Sequence, residues 1–149
     1  MNILFFLSPK QDLMYVYDDF TLRQTLEKWE NNRYASIPVL NRQGKYVGTL
    51  TEGDILWGLK KYHGLDLEAA EDVPISAFPH KRDYKAVTAT TSMDQLIEAA
   101  MNQNFVPVVD DRGIFIGIVR RQAIIRYCYD KTRAEQHEEK HILEYAAVH

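Results

Sequence analysis

The stretch Ile37-Pro38-Val39-Leu40-Asn41 returns downstream as Val106-Pro107-Val108-Val109-Asp110, an offset of 107 − 38 = 69 residues. Outward from it at the same offset, Gly44 meets Gly113, Gly48 meets Gly117, Leu50 meets Val119, and Ile55-Leu56 meets Ile124-Ile125. Two glycines, a proline and an apolar frame agreeing at one offset mark an internal duplication, and a duplication sets the architecture of the whole chain. Upstream the offset becomes 87 − 16 = 71: Val16 meets Val87, Thr21 meets Ser92, Leu22 meets Met93 and Leu26 meets Ile97. The second copy is therefore shorter by 71 − 69 = 2 residues between its helix and its proline-containing strand, around 31–34 in the first copy and 102–104 in the second.

Each copy reads as strand, helix, strand, strand, helix. Residues 13–17 form a short β-type run, and Leu22, Leu26 and Trp29 mark one face of a helix. Residues 37–41 and 46–50 are β-rich and joined by Arg42-Gln43-Gly44-Lys45, whose glycine supplies the positive φ of a bulged hairpin turn. Asp110-Asp111-Arg112-Gly113 repeats that chemistry between 105–109 and 115–119, and second helices are expected at 52–61 and 121–129. Pro38 and Pro107 inside their strands point to an edge or an irregular start, because proline donates no ladder hydrogen bond. Residues 63–77 read as a polar connector with a short helical turn at 67–71, and the chain turns highly charged after Tyr129. The division expected is a first repeat at 1–62, connector 63–77, second repeat 78–130 and charged C-terminal tail 131–149.

The bulk numbers narrow the function. The 149 residues are 46% hydrophobic and 26% charged, an ordinary soluble composition, and a net charge of −3 leaves no global basic field for nucleic acid. The one cysteine, Cys128, cannot form an intrachain disulfide and reads as a packed thiol. The early apolar run at 3–7 is too short for a signal peptide's core or a membrane span, so a cytoplasmic protein without membrane association is expected.

The distributed motif, Thr21-Leu22-Arg23-x-x-Leu26 followed by Ile37-Pro38-Val39-x-Asn41-x-x-Gly44-x-x-Val47-Gly48-x-Leu50-Thr51-x-x-Asp54-Ile55-Leu56, resembles the CBS repeat. Copy two carries it at 92–100 and 105–125, so the resemblance covers about residues 5–129. In particular, 104–110 and 115–125 resemble the free-standing two-repeat CBS proteins of Gram-positive bacteria. The resemblance implies an α+β fold of tandem CBS repeats, two β-α-β-β-α units in a pseudo-twofold pair with a cleft on either side. It implies an adenine nucleotide in such a cleft (AMP, ADP or ATP, with cyclic di-AMP the alternative) and no catalytic cofactor. It also implies a homodimer built through helices, and output by docking on a protein partner whose identity the sequence does not give. The protein is thus expected to be regulatory rather than an enzyme.

Thr51-Glu52-Gly53-Asp54 falls on the family's Ser/Thr-x-x-Asp element, where the resemblance gives Asp54 the ribose hydroxyls and places Thr51 near sugar and phosphate. An ionised carboxylate accepts from two neighbouring hydroxyls. The same four residues also spell a helix capping box, and both roles are compatible. Ala35, Ser36, Ile37 and Pro38 are expected to line the same cleft as Thr51 and Asp54, with Met14 beside the adenine or, as plain packing, in the core. Copy two departs here: Arg120 and Ala123 replace Thr51 and Asp54, so its site lacks the carboxylate for the ribose, while Arg120 and Arg121 bring charge suited to phosphate. The family resemblance carries Arg121 over as a phosphate contact. His80-Lys81-Arg82 and Lys10 are further cations on loops. His137-Glu138-Glu139-Lys140-His141 matches the zinc pattern His-Glu-x-x-His, and a small zinc hydrolase is the reading from another class. It lies in the charged tail with no evident third ligand, so a solvated helix face is the expectation. A purely structural adaptor without ligand is also open.

Overall fold

The computed structural model describes residues 2–32, 34–79 and 84–148. In chain order its strands are β1 (Leu7–Pro9), β2 (Val16–Tyr17), β3 (Ser36–Leu40), β4 (Tyr46–Thr51), β5 (Phe105–Val109) and β6 (Phe115–Arg120). The helices are α1 (Leu22–Glu30), α2 (Glu52–His63), α3 (Leu67–Ala70), α4 (Met93–Ala100) and α5 (Arg121–Val148). They build one three-stranded sheet of order β2-β3-β4 and another of order β1-β6-β5.

Local chemistry explains most boundaries. Thr21 and Ser92 cap α1 and α4 through reciprocal bonds with Gln24 and Gln95. Gly44 and Gly113 adopt φ of 82° and 81° at the two hairpin turns, as the repeat requires. Along β3, Ile37 and Val39 turn to the first copy's core with Leu22, Leu50 and Ile55, whereas Leu40 joins a third cluster with Tyr84, Phe105, Phe115 and Ile118. That third cluster draws on both copies and binds the sheets to each other. The hairpin tips also pair directly: Lys45 bridges Ile114, Tyr46 N donates to Gly113 O at 3.3 Å, and Phe115 N donates to Gly44 O at 3.0 Å. Lys45 and Ile114 are separated by 114 − 45 = 69 residues, so the pseudo-twofold axis passes between repeat equivalents.

Several expectations need correction. Within 13–17 only Val16 and Tyr17 are strand, because β2 meets β3 only at Val39 and Leu40. In the second copy the equivalent pairing shrinks to a single bridge, Val87 to Val108. Pro38 sits in a central strand rather than an edge, and is tolerated because β2 stops short of it; Pro107 lies in β5 at the end of its sheet. The helix expected at 121–129 runs on to Val148, so most of the charged tail is helical. No glycine or proline interrupts 121–148, and Ala, Glu, Lys, Gln and Arg dominate it.

The N-terminal residues, assigned in sequence to the first repeat, pack on the second. Ile3 is buried with Leu96, Val106 and Val119, and β1 adds an antiparallel strand to β6. β1 thereby covers the outer edge of β6, the edge that its equivalent β4 leaves at the end of the first sheet. This explains Gly117: a Cβ there would collide with the Ser8 carbonyl oxygen and the Leu7 side chain, whereas at Gly48 it would meet nothing within 4 Å. Gly117→Ala should cost about 1–3 kcal/mol through overpacking, and Gly48→Ala much less. Urea unfolding of both variants checks this, and equal losses would contradict the docked position of β1.

Candidate functional site

Thr51 caps α2 through its side chain. Its Oγ1 accepts from Asp54 N at 3.0 Å, and Asp54 Oδ2 accepts from Thr51 N at 2.9 Å, closing the capping box. Asp54 is only 8% exposed, so a carboxylate is held at the head of a helix among few waters. At the start of α5 the equivalents Arg120 and Ala123 have no acceptor oxygen in their side chains. The entry to α5 is fixed differently: Arg121 Nε donates to Ala100 O at 2.9 Å and Gln103 O at 2.8 Å. Backbone bonds at the two helix starts do repeat, with Glu52 N to Ala35 O at 3.0 Å and Arg121 N to Asn104 O at 3.2 Å.

Two unlike clefts result. The first, of about 480 Å³, joins Thr51, Gly53, Asp54 and Trp57 to Tyr84, Asn104 and Arg121. The second, of about 300 Å³, joins Leu13, Met14, Ala35, Ser36 and Pro38 to Asn104, Phe105, Ile118, Arg120, Arg121 and Gln122. In each, the helix start of one copy faces the strand entry of the other. Met14, Ala35, Ser36 and Pro38 therefore do not share a cleft with Thr51 and Asp54, against the sequence expectation. The cause is the tip-to-tip contact of the hairpins. Although Ser36 and Thr51 are register partners, each copy's walls are completed across the axis, where Asn104 Nδ2 donates to Ser36 Oγ at 3.4 Å.

Ile37 is fully buried in the first copy's core and lines neither cleft, since it alternates with Ser36 and Pro38 along β3. Arg120 and Arg121 both line the second cleft, and Arg121 also lines the first. Lys10 lies over the Tyr15 ring, 5.2 Å from its centroid, and lines neither. His80, Lys81 and Arg82 lie outside the described residues. Cys128 is a half-buried thiol packed beside the second core.

Tyr84 and Asn104 were missed in the sequence. The repeat could have found them, because Tyr84 is Leu13 advanced by 71 and Asn104 is Ala35 advanced by 69. Buried Gln103 holds the strand entry in place: its Oε1 accepts from Lys85 N at 2.9 Å, and its Nε2 donates to Lys85 O and Phe105 O. Among the described residues, no group of three or more His, Cys, Asp or Glu is placed to hold a metal ion. His137 and His141 lie one turn apart on exposed α5. No helix among those residues is long and apolar enough to cross a membrane.

The CBS domain family model matches residues 7–61 and 71–130. An uncharacterised protein of Methanocaldococcus jannaschii is 26% identical over 137 residues, which cover 84% of this chain and 49% of that protein. The chain thus spans about half the length of that relative. Among solved structures, a CBS domain protein from Streptococcus pneumoniae is 26% identical, with 86% of each chain covered and a TM-score of 0.77. The CbpB protein of Listeria monocytogenes, in complex with c-di-AMP, is 20% identical, with 86% of this chain and 95% of that one covered and a TM-score of 0.75. CBSX2 in complex with AMP is 19% identical, with 88% and 98% covered and a TM-score of 0.70. The last two are likenesses of fold.

Proposed function

The chain belongs to the CBS domain family, and on that premise we propose that it is a regulatory adenine-nucleotide-binding module, a sensor rather than an enzyme. Its ligand is AMP, ADP or ATP, and its output is altered docking on a protein partner. The observation that carries this reading is the buried carboxylate of Asp54 at the head of α2, in a cleft whose opposite wall presents Arg121. Ribose hydroxyls donate to Asp54 while the phosphate lies toward Arg121, with the α2 N-terminus favouring the anion. Arg121 is preorganised for this, since its two backbone bonds fix the guanidinium before any ligand arrives. The neighbours bound to AMP and to c-di-AMP support an adenine-nucleotide ligand in general.

Cyclic di-AMP is a second reading, favoured by one feature: Arg120 and Arg121 stand side by side on the second cleft, two cations for two phosphates. Titration calorimetry separates the two. For an adenine mononucleotide, Asp54→Ala removes a charged acceptor whose hydrogen bonds contribute about 1.5–3 kcal/mol, a loss of roughly 10- to 150-fold in affinity. The ligand-free melting temperature of the variant must be compared, because the same change opens the α2 cap. Full affinity in Asp54→Ala with loss in Arg120→Ala would transfer binding to the second cleft and favour cyclic di-AMP.

A homodimer through the helices belongs to the same proposal. Leu56 and Trp57 on α2 and Ile125 and Tyr129 on α5 are each at least half exposed, more apolar surface than a solvated helix needs. Light scattering is expected to give twice the chain mass at micromolar concentration, and a monomer with and without nucleotide would remove the claim.

A further inference from the structure

The two copies differ most where the first helix of each meets the strand entering its sheet. In the first copy Lys28, on α1, lays its ammonium on the Tyr15 carbonyl oxygen at 2.5 Å. The same ammonium lies 4.9 Å and 5.9 Å from the Tyr15 and Phe20 ring centroids. Tyr17 packs against both rings and closes the space. Burial lowers the Lys28 pKa, a sign that the ammonium has partly left water.

At the offset of 71, Ala86 stands for Tyr15, Thr88 for Tyr17, Thr91 for Phe20 and Ala99 for Lys28. The correspondence is structural as well, because α1 and α4 carry the same capping box and Val16 and Val87 run parallel to Val39 and Val108. Four large side chains shrink together, and a groove of about 680 Å³ opens between residues 84–88 and α4. Thr88, Thr91, Glu98 and Asn102 line it. The Ala86 carbonyl oxygen, equivalent to the one Lys28 occupies, takes no hydrogen bond among the described residues.

We infer that this groove is a binding site for an aliphatic ammonium group, the chemistry that Lys28 supplies from within in the first copy. The Ala86 carbonyl accepts one ammonium proton, and the Thr91 hydroxyl and Glu98 carboxylate offer further acceptors. Lys85 also lines the groove, with an exposed side chain. The site is separate from the nucleotide reading yet adjoins its cleft, since Tyr84 and Asn102 line both.

The test uses Nα-acetyl-lysine-N-methylamide as probe, titrated into isotopically labelled full-length protein and followed by amide chemical shifts. Saturable shifts at Thr88, Thr91, Glu98 and Ala99 are expected, and the ε-acetylated probe, which has lost its charge, should produce none. Ala99→Lys supplies the ammonium from inside and should abolish the shifts while the protein stays folded. Glu98→Gln should weaken them by about tenfold if the carboxylate bond is charge-assisted. Should Ala99→Lys fail to fold, Thr91→Phe closes the groove as Phe20 does and should also abolish the response. Absence of saturable shifts at tens of millimolar, equal shifts from the acetylated probe, or unchanged shifts in the groove-filling variants would overturn the inference. Nucleotide affinity enters none of these readouts, so failure here is distinct from failure of the proposed function.

Discussion

Each hairpin in this chain ends against the other, Lys45 on Ile114, with one backbone hydrogen bond on either side of the pseudo-twofold axis. Behind that contact lies a core drawn from both copies, in which the Phe115 ring sits 6.3 Å from Tyr46 and 6.5 Å from Tyr15. The constraint acts at a distance. Once the tips are joined, the helix that follows each hairpin opens toward the strand entry of the opposite copy, and both clefts become composite. Neither copy walls either of these two clefts alone.

Composite sites let the copies diverge without losing the fold. The first cleft takes its acid from copy one and its arginine from copy two, while the second has two arginines and no acid on its helix start. The same freedom shows at the outer face, where a lysine packed on tyrosine and phenylalanine in one copy becomes alanine and threonine in the other. Both copies keep what the pseudo-symmetry needs, namely the turn glycines, the strand prolines and the helix caps.

Local features were legible in the sequence because they rest on short-range chemistry. Gly44, Gly113 and the Thr51–Asp54 box each depend on residues a few positions away. The pairing of walls did not come through, because Ser36 beside Asn104 is a contact across 68 residues set by the docking of two hairpins. The seating of β1 on β6 was hidden for a similar reason: Leu7-Ser8-Pro9 has too few residues to show an alternation, and only Gly117 hinted that a backbone passes close by. The length of α5 is a different case. Its middle is polar all round, so apolar periodicity stops near Tyr129 although nothing ends the helix.

The central claim is that the clefts are unlike and that the one holding Asp54 is the nucleoside site. A crystal structure grown with AMP tests it most directly. The account expects one nucleotide per chain, with the ribose hydroxyls on Asp54 and the phosphate toward Arg121. Nucleotide in the cleft of Met14 and Arg120 with the Asp54 cleft empty, or equal occupancy of both, would contradict it.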